Sequence, residues 1–171
     1  WAIYTDEGSS HILIEGNVCY NTSSQSFFQH YGRENTVRNN IWVFGREGLV
    51  SLGRAQAHLA FTFERNIVVT DGQPIFREGY GAPLEPRNFI ADLNLFCDVS
   101  GAEPFALAKS GEQIPFEEWQ KLGYDRHSLV ADPGFADLPA HDFTLSEDSP
   151  ALSLGFEPID LSDVGPRPKD A

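Results

Sequence analysis

The sequence predicts an all-β fold, a right-handed parallel β-helix (a solenoid whose coils stack along one axis) closed by a C-terminal cap that contains a short helix. An Asn followed by an apolar triplet recurs at Asn17, Asn40, Asn66 and Asn94. The spacings of 23, 26 and 28 residues lie in the range of solenoid repeats. Short runs of strand-prone residues separated by turns fill each repeat, and apolar residues do not follow the spacing of a helix.

The recurring Asn marks one corner of each coil. Amide side chains stacked from coil to coil can hydrogen-bond one another and the bent backbone, which satisfies groups that a strand ladder leaves open. Asn also tolerates the left-handed backbone that such corners need. Parallel strands pair at about 4.8 Å, so equivalent positions of successive coils become neighbours. The alternative is a β-sandwich with Asn in its turns.

The period ends near residue 102. Residues 1–102 are predicted to form the parallel coils, and residues 103–171 the last coil and the C-terminal cap of the same domain. Within the cap, residues 116–122 predict a short helix followed by Gly123. Residues 132–135 and 142–145 predict closing strands, and the tail from residue 158 is expected to lie along the surface. The N-terminal edge near Trp1 has no predicted cap, which leaves it open to homodimer formation.

Composition and charge narrow the function classes. The 171 residues are 41% hydrophobic and 22% charged, which fits one packed domain. The formal net charge is −13 and no basic cluster is present, so nucleic acid and anionic membranes are not expected partners. No apolar stretch is long enough to span a bilayer. A neutral oligo- or polysaccharide is compatible with this charge, whereas a polyuronate would need a bridging cation.

No cofactor or metal is expected. The five His residues are scattered without metal-ligand spacing, and no phosphate-binding loop or redox Cys pair is present. Cys19 and Cys97 lie in apolar runs and are interpreted as buried free thiols.

Several segments resemble bacterial right-handed parallel β-helix repeat proteins. They are residues 3–10 and 29–41 in the coils, and 116–120, 125–128, 132–133, 142–143, 148–151 and 155–160 near the C-terminus. The resemblance covers nearly the whole chain. It implies a carbohydrate-active protein of polysaccharide-degrading bacteria, secreted or periplasmic, and similar to glycoside hydrolases, polysaccharide lyases or epimerases. Full-length members carry further N-terminal coils, so this chain is expected to be a C-terminal portion.

The first two coils place chemical groups side by side. Aligned on their glycines at 8 and 32, they pair Tyr4 with Phe28, Asp6 with His30 and Glu7 with Tyr31. Since successive strand residues face opposite sides and Ile3 must face the core, Asp6 and His30 are expected to point outward together. A separation of about 4.8 Å allows a carboxylate–imidazole hydrogen bond.

This pairing suggests acid–base chemistry. Asp6 would be a general acid or base and His30 would tune its protonation, with Glu47 or Glu7 as the second carboxylate. Retaining glycosidases need carboxyl groups roughly 5–5.5 Å apart, about one coil step, and inverting ones roughly 6.5–9.5 Å, about two coil steps. Both outcomes stay open, with Asp6 and Glu47 as the candidate inverting pair. Candidate substrate-binding residues are the aromatic Tyr4, Phe28 and Tyr31 and the basic Arg46 and Arg54. Trp42 could also stack on a sugar if it is exposed.

The sequence is compatible with three functions. The first is glycoside hydrolase-type cleavage of a neutral plant or host glycan. The second is a non-catalytic carbohydrate-binding or structural solenoid segment, which a groove with exposed aromatics and carboxylates engaged in turns would favour. The third is a polysaccharide lyase. Asp6 and His30 could also simply order the turns they occupy, and residues 125–128 are interpreted as a capping network rather than a catalytic relay.

Overall fold

The chain folds as a β-solenoid of about four stacked coils, which confirms the predicted parallel architecture. A computed structural model describes residues 1–79 and 88–165. Each coil contributes one strand to each of three parallel sheets, and only two short helices are present among the described residues. The handedness of the coils stays a prediction.

The three sheets run along the solenoid axis. The first sheet contains β1 (Ile3–Thr5), β4 (Phe27–Gln29), β7 (Val50–Leu52), β10 (Phe76–Glu78) and β13 (Phe105–Leu107), closed by the antiparallel β14 (Gln113–Pro115). The second contains β2 (Leu13–Glu15), β5 (Asn35–Arg38), β8 (Phe61–Glu64) and β11 (Phe89–Asp92). The third contains β3 (Val18–Tyr20), β6 (Ile41–Val43), β9 (Ile67–Thr70), β12 (Leu95–Asp98) and β15 (Leu129–Val130).

The four repeated Asn residues form the predicted ladder before the third sheet. The Nδ2 of Asn17 donates to Oδ1 of Asn40 at 2.9 Å, and the same bond joins Asn40 to Asn66 at 3.0 Å and Asn66 to Asn94 at 3.2 Å. The left-handed backbone lies one residue earlier than expected, as at Arg65 with φ 51°. The ladder Asn is thereby left in a conformation that directs its amide along the stack.

The ladder ends on a carboxylate. Asn94 donates from Nδ2 to Oδ1 of Asp125 at 2.8 Å, where the hydroxyl of Ser128 also donates, and the indole of Trp119 donates to the other oxygen. A carboxylate only accepts, so the ladder stops without an unpaired N–H. Burial raises the pKa of Asp125, while these three hydrogen bonds act in the opposite direction. Asp125 and Ser128 thus act in the cap, as expected.

Helix α1 (Phe116–Lys121) closes the far end of the core. Trp119 on this helix is buried and stacks on Phe76 of the last full coil, with ring centroids 5.4 Å apart. Tyr124 stacks on Phe89 at 4.5 Å. The helix ends before Gly123, whose φ of 108° suits glycine, as the sequence predicted.

The segment after β15 covers the outer face of the third sheet. It forms an antiparallel hairpin, β16 (Phe135–Asp137) with β17 (Asp142–Leu145), and a short helix α2 (Pro150–Ser153). Phe143 and Phe156 pack with Ile41 and Ile67, the outward residues of that sheet. This segment therefore runs back along the side of the solenoid. Residues 160–165 are exposed, and the rest of the tail predicted to lie on the surface, residues 166–171, is outside the described part.

The first coil forms the opposite end of the solenoid in the described residues. Strands β1, β2 and β3 are the outermost members of their sheets. Trp1, Leu13 and Tyr20 near this edge have exposed fractions of 57%, 54% and 45%. Homodimer formation through this end stays a prediction.

Candidate functional site

A groove of about 540 Å³ lies against the outer face of the first sheet. The strand register builds it: Tyr4, Phe28, Ser51, Arg77 and Leu107 occupy equivalent positions in five successive strands, and all five line the groove. The strand neighbours Phe27, Val50, Leu52 and Phe76 are buried in the core. One side-chain column therefore presents an aromatic, a hydroxyl and a guanidinium group to the same space.

Three aromatic residues, Trp1, Tyr4 and Phe28, form a shelf at one end of the groove. The rings of Tyr4 and Phe28 are parallel with centroids 5.2 Å apart, and Trp1 lies 5.0 and 5.3 Å from them. The indole N–H of Trp1 donates to Gln25 Oε1 at 2.8 Å, which fixes its orientation. A Cβ on Gly53 would come within 2.8 Å of the Phe28 ring, so this glycine allows the ring to lie across the next coil. We call these three residues the aromatic shelf.

Asp6 and His30 are brought together at the border of the aromatic shelf. His30 Nδ1 lies 3.2 Å from Asp6 Oδ1, and the Tyr4 hydroxyl donates to the same oxygen at 3.2 Å. The hydrogen bond with His30 is the main cause that lowers the pKa of Asp6 below its ordinary value. Asp6 is therefore ionised at neutral pH and suits a base or an anchor better than a general acid. Among the described residues, His30 lines the groove and Asp6 lies outside its lining.

Glu7, Tyr31 and Arg54 form a second cluster beside His30. The Tyr31 hydroxyl donates to Glu7 Oε2 at 3.4 Å, and Arg54 Nη2 lies 3.6 Å from Glu7 Oε1. The Arg54 guanidinium stands 4.3 Å above the centre of the Tyr31 ring. Arg54 lines the groove, whereas Glu7 and Tyr31 are outside its described lining. The carboxylate of Glu7 is thus engaged in holding neighbouring side chains.

Glu47 lines the groove but does not pair with Asp6. It accepts a hydrogen bond from Ser24 at 2.8 Å, and its Oε2 lies 3.8 Å from Arg77 Nη1. Asp6 directly follows β1, whereas Glu47 precedes β7, so the two carboxylates are at opposite ends of the strands. The coil-step estimate for the inverting pair treated Glu47 as if it continued the Asp6 column, and the register places it elsewhere.

Two further candidates do not reach the groove. Arg46 is exposed, its backbone N–H donates to Thr22, and its side chain is not in the described lining. Trp42 was expected to stack on a sugar only if exposed, and it is instead fully buried and donates its indole N–H to Asn66. Its place in the middle of an apolar triplet turns it toward the core.

Sequence reasoning missed Arg77, Glu78 and Lys109, which also line the groove. A signal was present for Arg77, because it follows Ser51 by the same 26 residues that separate Asn40 from Asn66. Extending the Asn period to the first sheet would have placed it in the Tyr4 column.

The described ranges, 1–79 and 88–165, contain no group of three or more His, Cys, Asp or Glu arranged to hold a metal ion. No helix within them has the length and apolar character needed to cross a membrane. In comparisons with known proteins, no family model, no curated protein and no solved structure matches this chain.

Proposed function

We propose that this chain is a carbohydrate-binding solenoid segment that holds an oligo- or polysaccharide along the groove of its first sheet. The observation that carries the proposal is the aromatic shelf. Its rings are fixed by mutual stacking and by the bond from Trp1 to Gln25, so they offer a rigid apolar surface beside polar groups. Sugars have this same combination of apolar C–H faces and hydroxyl groups.

The state of the carboxylates favours binding over cleavage. Asp6 is held by His30 and Tyr4, Glu7 by Tyr31, and Glu47 by Ser24. Carboxylates engaged in this way hold neighbouring side chains in place. The groove is also long enough to cross several coils, from Trp1 to Lys109, which suits an extended chain of sugars.

Intrinsic fluorescence provides the direct test. Trp1 is 57% exposed in the groove, while Trp42 and Trp119 are buried at 0% and 2% exposure. Titration with a panel of cello-, xylo- and manno-oligosaccharides is expected to change the Trp1 emission saturably for at least one of them. Failure of the whole panel, together with a glycan array, to give any binding would contradict the proposal.

A matched pair of variants locates the site. Tyr4→Ala removes a shelf ring and is expected to weaken binding by about tenfold or more, as for an anchoring aromatic side chain. Tyr20→Ala is the control, since Tyr20 has a similar exposed fraction, 45% against 40%, and lies on the third sheet. Equal loss in both variants would show that the groove is not the binding site.

Glycoside hydrolase-type cleavage is the second candidate function. It is favoured by one observation, the ionised Asp6 held 3.2 Å from His30 at the border of the groove. The test compares wild type with Asp6→Asn on aryl glycosides and on the oligosaccharides that bind. Catalysis by Asp6 predicts a rate loss of several hundredfold or more with little change in affinity. Equal turnover, or none in either protein, would remove cleavage by Asp6 from consideration.

A further inference from the structure

The groove differs in charge from the rest of the molecule. The chain has a formal net charge of −13. The described groove lining contains three cationic side chains, Arg54, Arg77 and Lys109, against two carboxylates, Glu47 and Glu78, which leaves a formal charge of +1 with His30 neutral. Since only 12 Lys and Arg are present in 171 residues, three in one groove is a local concentration. The lining is therefore less negative than the molecule as a whole, which favours an anionic group there over other parts of the surface.

Arg77 is the cation best placed to meet a ligand. It lies on β10, between rigid neighbouring strands, and its side chain is 41% exposed in the groove. Its guanidinium makes no hydrogen bond with a described residue. The nearest carboxylate oxygen, Glu47 Oε2, is 3.8 Å away and already accepts a hydrogen bond from Ser24. The N–H groups of Arg77 are therefore available, and a guanidinium matches a carboxylate or sulfate with two parallel hydrogen bonds.

The other two cations are placed differently. Arg54 stacks on Tyr31 and faces Glu7 at 3.6 Å, which holds its charge toward the protein. Lys109 lies beside Glu78, because its backbone N–H donates to Glu78 Oε2 at 2.8 Å. These two cations are thus placed beside protein carboxylates, while Arg77 supplies the directional contact.

We infer that the glycan bound in this groove carries an anionic substituent, a carboxylate or a sulfate, that pairs with Arg77. The inference rests on the proposed function and deepens it: the aromatic shelf takes a neutral sugar ring, and Arg77, three strands further along the same column, takes an acidic one. The overall negative charge of the chain then selects against densely charged polyanions, and a sparsely charged glycan satisfies both.

The test compares matched oligosaccharides by calorimetry and Trp1 fluorescence. The probes are a neutral oligosaccharide that binds, its counterpart with one uronic acid, and its counterpart with one sulfate. Wild type is expected to bind at least one acidic probe about tenfold or more tightly than the neutral one, and added salt should reduce this preference. The two acidic arms distinguish a carboxylate from a sulfate.

Two variants distinguish a specific contact with Arg77 from the effect of removing one positive charge anywhere on the protein. R77Q is expected to remove the preference, so that the acidic and neutral probes bind with similar affinity. R46Q removes the same charge from an exposed residue outside the groove lining and should bind like wild type. Equal affinity for acidic and neutral probes in wild type, or an intact preference in R77Q, would overturn the inference while leaving carbohydrate binding in place. Absence of binding to every probe would overturn the proposed function as well.

Discussion

Asn66 occupies the centre of the ladder and uses both ends of its amide. Its Oδ1 accepts from the backbone N–H and Nδ2 of Asn40, at 3.1 and 3.0 Å, and from the Trp42 indole at 3.3 Å. Its Nδ2 donates to the carbonyls of Val37 and Glu64. The backbone N–H of Asn40 and the indole N–H of Trp42 are buried, and Asn66 Oδ1 is the acceptor of both, so removal of the amide leaves these two donors without a partner.

We therefore expect Asn66→Ala to lower the free energy of unfolding by at least about 2 kcal/mol, from two buried donors left unsatisfied. Asn17→Ala is the control, since Asn17 is only half-buried and at the open end of the ladder. Asn17→Ala should lower the free energy of unfolding by only about 1 kcal/mol. Urea denaturation measures both, and similar losses would show that the ladder is not a major source of stability.

The hydrogen bonds of Asp98 predict that the free energy of unfolding depends on pH. Partial burial acts to raise its pKa, but hydrogen bonds from Ser100, Gly72 and Thr70 outweigh this effect and the pKa is lowered from the ordinary value of 3.8. The stabilisation is thus present above pH 3.8 and is lost as the pH falls below it. Both oxygens accept hydrogen bonds, so an amide cannot replace them.

Asp98→Asn should lower the free energy of unfolding by about 1–3 kcal/mol at pH 7. The difference from wild type should shrink as the pH falls below 3.8. Urea denaturation between pH 3 and 7 measures this, with Asp148→Asn, at an exposed position, as the control. A difference that stays constant over this range would contradict the assignment.

At the scale of elements, the hairpin of β16 and β17 stabilises the third sheet from outside. Phe143 is 6% exposed and packs among the outward residues of that sheet. The segment reaches back to the first coils, where Asn21 Nδ2 lies 3.1 Å from His141 and Asn39 exchanges two hydrogen bonds with the backbone of Glu157. It therefore links the C-terminal segment to coils that lie 118 to 120 residues earlier in the chain.

Phe143→Ala should lower the free energy of unfolding by about 3 kcal/mol, the low end for a buried aromatic because the site is at the surface of the fold. Thr144→Ala, on the exposed side of the same strand, should change it by less than about 0.5 kcal/mol. Denaturant titration of both variants tests the packing. If the two losses are alike, the hairpin does not pack on the sheet in this way.

Some elements could be predicted from the sequence and others could not. The Asn period identified the coils, and the Pro- and Gly-bounded run at 116–123 identified α1. The position of the hairpin depended on contacts 118 to 120 residues apart, which no local pattern encodes. One clue was present: the triplet of β6 is apolar at every position, and a strand with an apolar run of this kind is buried on both faces.

At the scale of the whole molecule, the groove results from stacking rather than from any single motif. One inward column of the first sheet, Ile3, Phe27, Val50, Phe76 and Ala106, is apolar in every coil because it packs in the core. Outward positions do not repeat: the column changes from Tyr4 and Phe28 to Ser51 and Arg77. The Asp6–His30 contact could be predicted because the two glycines set the register of the first coils. Arg77 lies two coils after Phe28, and its register could not be read from these two glycines.

The register of the first sheet is therefore the claim on which the proposed site depends. Nuclear Overhauser effects in the folded protein measure it directly. The structure predicts parallel cross-strand contacts joining Tyr4 with Phe28, Phe28 with Ser51, and Ser51 with Arg77. Antiparallel contacts among these strands, or the absence of contacts between Ser51 and Arg77, would contradict the stacked coils and remove the groove with them.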